Sequence, residues 1–190
     1  PLKSGLGSDD KVGHVTSWWD YQDAAIVAVG DPNNVVHCAN GRIRYLCDGN
    51  FLYCCLPSGR VIAYAQPSLH EEKVVRTNRY GEEYETTKRS VRYFGIDSTT
   101  KQWTRQFMYG GLQCENVVQA ASRDIMVEGM TRVEQAGYYV ILTVHDEILS
   151  EVKSTFGSAT EFKGLMGILP EWATGLPLSA AAWEDQRYVK

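Results

Sequence analysis

The spacing of apolar positions changes along this chain, and each change predicts a new kind of element. From His14 to Val29 the positions Val15, Trp18, Trp19, Ala25, Ile26 and Val29 recur at three- and four-residue intervals, the period of an amphipathic helix. Gly30 and Asp31-Pro32 are its stop signals. Short β-branched and aromatic runs follow, at Asn34 to Cys38, Ile43 to Leu46, Asn50 to Leu56 and Val61 to Ala65. The turns at Asp48-Gly49 and Pro57-Ser58-Gly59 join them as hairpins, so an antiparallel meander is expected. Residues 69–92 carry many charges and few large aliphatics, and read as a solvated, mobile loop. Strand-like runs return at Val91 to Ile96 and Trp103 to Tyr109, ending at Gly110-Gly111. From Leu112 to Ala136 there is no Pro, and Cys114, Val118, Ala121, Ile125 and Gly129 keep the helical interval, so a long helix is predicted, stopped by Gly137. Tyr138 to Val152 then offers two strand-prone halves around His145-Asp146-Glu147, which predicts a hairpin with that acidic tripeptide at its tip. Ser158 and Glu161 form a capping box for a helix whose face is Phe162, Leu165, Met166 and Leu169, closed by Pro170.

Composition narrows the class. The 190 residues are 44% hydrophobic and 22% charged, with a net charge of −4, which fits one ordinary globular domain and excludes a small, uniformly basic nucleic-acid binder. No run approaches the roughly 18 consecutive apolar residues of a membrane span, and residues 1–13, rich in Gly, Ser and Asp, read as a loose lead-in without a signal-peptide core. Cys38, Cys47, Cys54, Cys55 and Cys114 make an odd count with no CxxC pair, so a reducing cytosol is expected rather than a disulfide framework or a zinc ribbon. Trp18, Trp19, Trp103, Trp172 and Trp183 are expected in the core. The first residue is Pro rather than Met, so either processing or truncation is expected at this end, the second making the chain a piece of something larger.

Two constellations carry chemistry. On the long helix Asn116, Gln119 and Arg123 share one polar stripe, opposite Val118, Ala121 and Ile125. Such a stripe is ordinarily the wet face. Amides that both donate and accept, together with an arginine, also suit the edges and backbone of a duplex. At the hairpin tip the adjacent Asp146 and Glu147 repel each other, and a divalent cation relieves that repulsion. Hard oxygen ligands favour Mg²⁺ or Mn²⁺, with one or two carboxylates completed by substrate phosphates and water. A polar turn capping a hairpin is the alternative for the tripeptide alone.

Together, the Gln119-to-Asp124 helix, the Gly and the Val140-to-Ile148 run with its His145-Asp146-Glu147 resemble the C-terminal palm segment of family A DNA polymerases, most closely the phage-type members. The resemblance implies an α+β fold, the C-terminal palm portion of a right-hand polymerase, in which an antiparallel sheet packs against a long helix and carries a β-hairpin elaboration. It implies that His145-Asp146-Glu147 is motif C: Asp146 binds the catalytic metals, Glu147 lies beside them, His145 is near the primer terminus, and Gln119 contacts the minor groove of the primer-template. Gly41-Arg42-Ile43-Arg44-Tyr45 looks like the Gly-Arg-Arg-x-Tyr strand between fingers and palm. Phe51 to Ala65 and Trp103 to Gly111 look like a phage-type hairpin elaboration, and Leu176 to Trp183 looks like the last palm strand. The implied organisation is a lead-in and helix over 1–30, a meander over 31–111 and a palm core over 112–190.

Departures from the family pattern shape the expected function. Only motif C is visible. Asp20-Tyr21-Gln22 superficially matches the Asp-bearing strand of motif A, but Ala25 replaces the expected Glu and the period is helical; no fingers helix of motif B follows. Glu115 and Gly111 stand where members of the family carry Asn and Arg, so Asn116, Arg123, Arg105 and Arg42 are the remaining candidates for DNA contacts. Nucleotidyl transfer uses two cations about 3.5–4 Å apart, more than one carboxylate pair holds. The expected function is therefore the C-terminal part of a DNA-directed DNA polymerase, inactive alone, taking primer-template DNA and dNTP with two Mg²⁺ once an N-terminal polypeptide supplies motifs A and B. The alternatives are a non-catalytic duplex-binding module of palm-like shape and a His-Asp metal-dependent hydrolase. The hydrolase is disfavoured because His14, His37 and His70 lack ligand spacing.

Overall fold

A computed structural model describes residues 18–188, so His14, Val15 and the lead-in expected over 1–13 lie outside the described residues. The helical period produces α1 (Trp18–Gly30), whose buried face is Tyr21, Ala24, Ala25 and Ala28. That face differs from the expected one: Trp18 and Trp19 are each 64% exposed, and three alanines with one tyrosine make the seam instead. The reason is local. Alanines allow a helix to lie close on a sheet, and at Trp18 the helix backbone itself approaches Gly110 closely.

Six strands follow: β1 (Val35–Cys38), β2 (Ile43–Asp48), β3 (Phe51–Cys55), β4 (Val61–Thr77), β5 (Glu83–Ile96) and β6 (Trp103–Met108). They form one sheet in sequence order, with antiparallel registers that set Val35 opposite Leu46 in the first pair and Ile96 opposite Trp103 in the last. β2 shows the period-2 rule directly, with Ile43, Tyr45 and Cys47 buried and Arg44 and Asp48 exposed. The stretch expected as a loop over 69–92 is instead a long hairpin, with Ser68 opposite Arg92 and Thr77 opposite Glu83. Charges alternate on both of its faces, so no apolar period signals a strand. The backbone ladder and cross-strand pairs such as Arg89 to Glu71, 2.8 Å, hold it. Asn78 closes the turn by accepting from the amides of Tyr80 and Glu82, and Gly81 supplies the positive φ.

The long helix α2 (Gly110–Gln135) ends as predicted at Gly137, which has φ +96°. The Tyr138 amide donates to Val133 and the Gly137 amide to Glu134, the paired bonds of a Schellman stop. The strands β7 (Tyr139–Val144) and β8 (Glu147–Glu151) pair antiparallel in a separate two-stranded sheet. Ser158 caps α3 (Ala159–Met166) by accepting from the Glu161 amide, and Gly167 ends the helix before Pro170. The expected last strand, Leu176 to Trp183, joins neither sheet among the described residues and is irregular; Pro177 lacks an amide donor for a ladder. The fold is α+β.

The chain divides into two compact units. One takes the described residues up to Tyr53 with Ala63–Gln113; the other takes Cys54–Ile62 with the residues from Cys114 onward. The first is built around α1 and buried Tyr45, Leu52, Val91 and Met108. In the second, Val117, Ile125, Met126 and Val133 make the inward face of α2, with Tyr138 and Ala173. Val118, expected on that face, is exposed, because the inward stripe runs one position earlier, through Val117. Each such large side chain contributes roughly 1.5–3 kcal/mol on full burial. Among the described residues no helix is long and apolar enough to cross a membrane.

Candidate active site

Two apolar strand halves reverse over a loop of two residues, His145 and Asp146, with Val144 paired to Glu147. The acidic tripeptide therefore stands at the tip, where the sequence places it. His145 has φ +53°, a left-handed conformation that costs a non-glycine residue about 1–2 kcal/mol. All three side chains are exposed. Glu147 accepts a hydrogen bond from the Tyr188 hydroxyl, 2.8 Å, and that bond is the first cause of the upward push on the Tyr188 pKa. Asp146 makes no hydrogen bond or ion pair to another described residue. Tyr139 and Ile141 on β7 are 71% and 60% exposed.

The donor chemistry suits a hard cation, since both groups are carboxylates and the tip is open to phosphates and water. The number of donors is short. Among the described residues no three His, Cys, Asp or Glu side chains converge into a metal-binding group.

Of the helix candidates, Gln119 and Arg123 lie on the exposed face of α2 and Asn116 is half-buried beside them. The Gln119 amide donates to Glu115, 3.1 Å, and Arg123 reaches the Met126 sulfur at 3.7 Å. Arg42 lies in the β1–β2 turn and Arg105 on β6, both in the first unit, whereas Asn116, Gln119 and Arg123 belong to the second. Arg105 donates to Ser68, 2.7 Å, and lies over the Phe94 ring.

One arrangement escaped the sequence reading. At the Pro57-Ser58-Gly59 turn, Arg60 donates through Nε to Asp124, 2.5 Å, and through Nη2 to the Ala120 carbonyl, 2.7 Å, while Ser58 donates to the other Asp124 oxygen, 2.5 Å. Asp124, the acid of the Gln119-to-Asp124 element, thus ties the turn to α2. The turn was legible; nothing in the sequence said that its arginine and serine meet a helix more than sixty residues away.

No protein-family model matches the chain, and no solved structure matches it. Over 176 residues it is 34% identical to the DNA polymerase of Bacillus phage SP02, an alignment covering 93% of this chain and 25% of that protein. The chain is similar to part of a DNA polymerase. It spans about a quarter of the length of that curated relative.

Proposed function

We propose that this chain is the C-terminal part of a family A DNA-directed DNA polymerase that performs template-directed nucleotidyl transfer in DNA replication, with the β7–β8 hairpin as its motif C. The observation that carries the reading is an uncommitted carboxylate, Asp146, at a strained hairpin tip, in a chain similar to a phage DNA polymerase over most of its length. Asp146 and Glu147 would hold Mg²⁺ or Mn²⁺, two ions in the complete enzyme. When bound, such ions activate a primer hydroxyl and neutralise phosphate charge.

The chain's own residues supply positioning. Tyr188 orients Glu147, and the fixed backbone at His145 aims the tip, with the His145 side chain toward the primer end. Gln119 exchanges its exposed bond to Glu115 for minor-groove acceptors, and Asn116 and Arg123 extend that contact along α2. Arg60 and Ser58, through Asp124, hold the helix from behind. Arg42 and Arg105 are proposed phosphate contacts. Motifs A and B come from an N-terminal polypeptide, and the substrates are primer-template DNA and dNTP.

Mixing the chain with a polypeptide covering the remaining part of such a polymerase tests the proposal. Primer extension is expected from the mixture in Mg²⁺ and from neither part alone. A mixture that associates and binds primer-template yet never extends it would overturn the reading.

A further inference from the structure

The edge strand β6 and its neighbour β5 carry an ordered row of rings and cations on one face. Register places Phe94 opposite Arg105 and Arg92 opposite Phe107, with Trp103 opposite Ile96, so these side chains share a side of the sheet. The rings are available: Trp103 is 61% and Phe107 42% exposed. Trp103 stacks on Phe94 at 6.5 Å and 20°, and Phe107 on Tyr109 at 6.3 Å and 22°. Cations are interleaved, with Arg105 over Phe94 at 5.0 Å and Lys88 over Phe107 at 5.7 Å.

Charge separates the two faces of this part of the sheet. On the face of the row the β4–β5 register adds Arg76, Lys88 and Arg92 to Arg105, against Glu72 alone. The other face carries Glu71, Glu83 and Glu85 against Lys73 and Arg89. The Nε of Arg92 is buried and finds no hydrogen-bond partner among the described residues. At Lys88 and Phe107 the row opens into a groove of about 740 Å³, which also presents Trp18 and Trp19, with Asp23 as its one carboxylate.

We propose that this face is a track for single-stranded nucleic acid, distinct from the hairpin tip. The choice of polymer rests on the polymerase reading; the site does not. Flat rings take unstacked bases without regard to sequence, and the interleaved cations take the phosphates between them. From Trp103 to Phe107 the strand runs about 14 Å, enough for two or three splayed bases. A protein partner would meet a surface in which cations interrupt the apolar area at every second position, which suits a polyanion better.

Fluorescence anisotropy of a labelled oligothymidylate with the whole chain, in EDTA, tests the track. The expected result is salt-sensitive binding, weakened at least tenfold by Trp103→Ala with Phe107→Ala, restored by Phe107→Trp, and given a shallower salt slope by Arg105→Ala. Asp146→Ala should leave this affinity unchanged. Equal affinity for heparin or for blunt duplex would overturn the track, as would indifference to the double substitution. So would a dimer in sedimentation that the double substitution abolishes while the oligonucleotide fails to bind, which would make a second copy the occupant. Binding in EDTA without primer extension by the reassembled enzyme would sink only the polymerase reading, whereas extension without single-strand binding would sink only the track.

Discussion

Both oxygens of Asp124 are engaged, one by Arg60 and one by Ser58, and its side chain is only 12% exposed. An acid so committed is a fastener, in contrast to Asp146. Replacing Asp124 by Ala leaves the Arg60 guanidinium and the Ser58 hydroxyl unmatched and should lower unfolding free energy in urea by about 2 kcal/mol, with part of the charge contribution screened at the half-exposed Arg60. Two glycines on α2 separate rigid from pliant neighbours. A Cβ at Gly110 would lie 2.1 Å from the Trp18 carbonyl oxygen, whereas at Gly129 it would meet the end of Met166 at 2.7 Å. Backbone cannot step aside cheaply and a methionine tip can. Gly110→Ala is therefore expected to cost about 1–3 kcal/mol in the same assay, and Gly129→Ala less than about 1 kcal/mol, offset by its gain in helix propensity.

At the level of elements, the cap of α3 shows how the second unit is pinned. The Tyr138 hydroxyl donates to Glu161 at 2.6 Å and accepts from the Ser158 amide at 2.9 Å, while its ring packs edge-on against Phe156 and Phe162. Burial, then the bond to Glu161, raise the Tyr138 pKa above its ordinary value of 10.0. A group whose folded pKa is raised stabilises the fold below its unfolded value and loses that contribution as pH rises through the folded one. Melting temperature should accordingly fall above pH 10 in the native chain, and Tyr138→Phe should start lower at neutral pH and fall less steeply there.

The elements that the sequence disclosed are those with a clean period or a local stop: α1, α2 with Gly137, the short strands, the Ser158 cap and the acidic hairpin; the Glu161 half of the expected capping box goes to Tyr138 instead. Those it concealed lack an apolar period or depend on distant partners. The β4–β5 hairpin has no apolar face to announce it, because its ladder is backbone and its side chains are charged on both sides. Four of the five tryptophans expected in the core are exposed, since residue type alone does not distinguish a core ring from one laid along a surface. Leu176 to Trp183 was expected as a strand from the family resemblance alone; its Pro and three alanines are poor strand formers, and it joins neither sheet. The place of His145, Asp146 and Glu147 at a hairpin tip was legible because a turn is local; the Arg60–Asp124 fastener was not.

For the whole molecule, exposed Tyr139 and Ile141 flank a two-stranded sheet, an arrangement marginal on its own in water, and the phage relative is about four times as long as the stretch matched here. The account turns on Asp146, and the most direct measurement is the single-turnover rate of primer extension in Mg²⁺ by the reassembled polymerase, native against Asp146→Ala. A fall of about a thousandfold is expected, with primer-template affinity kept. An unchanged rate in the Asp146→Ala enzyme would contradict the account.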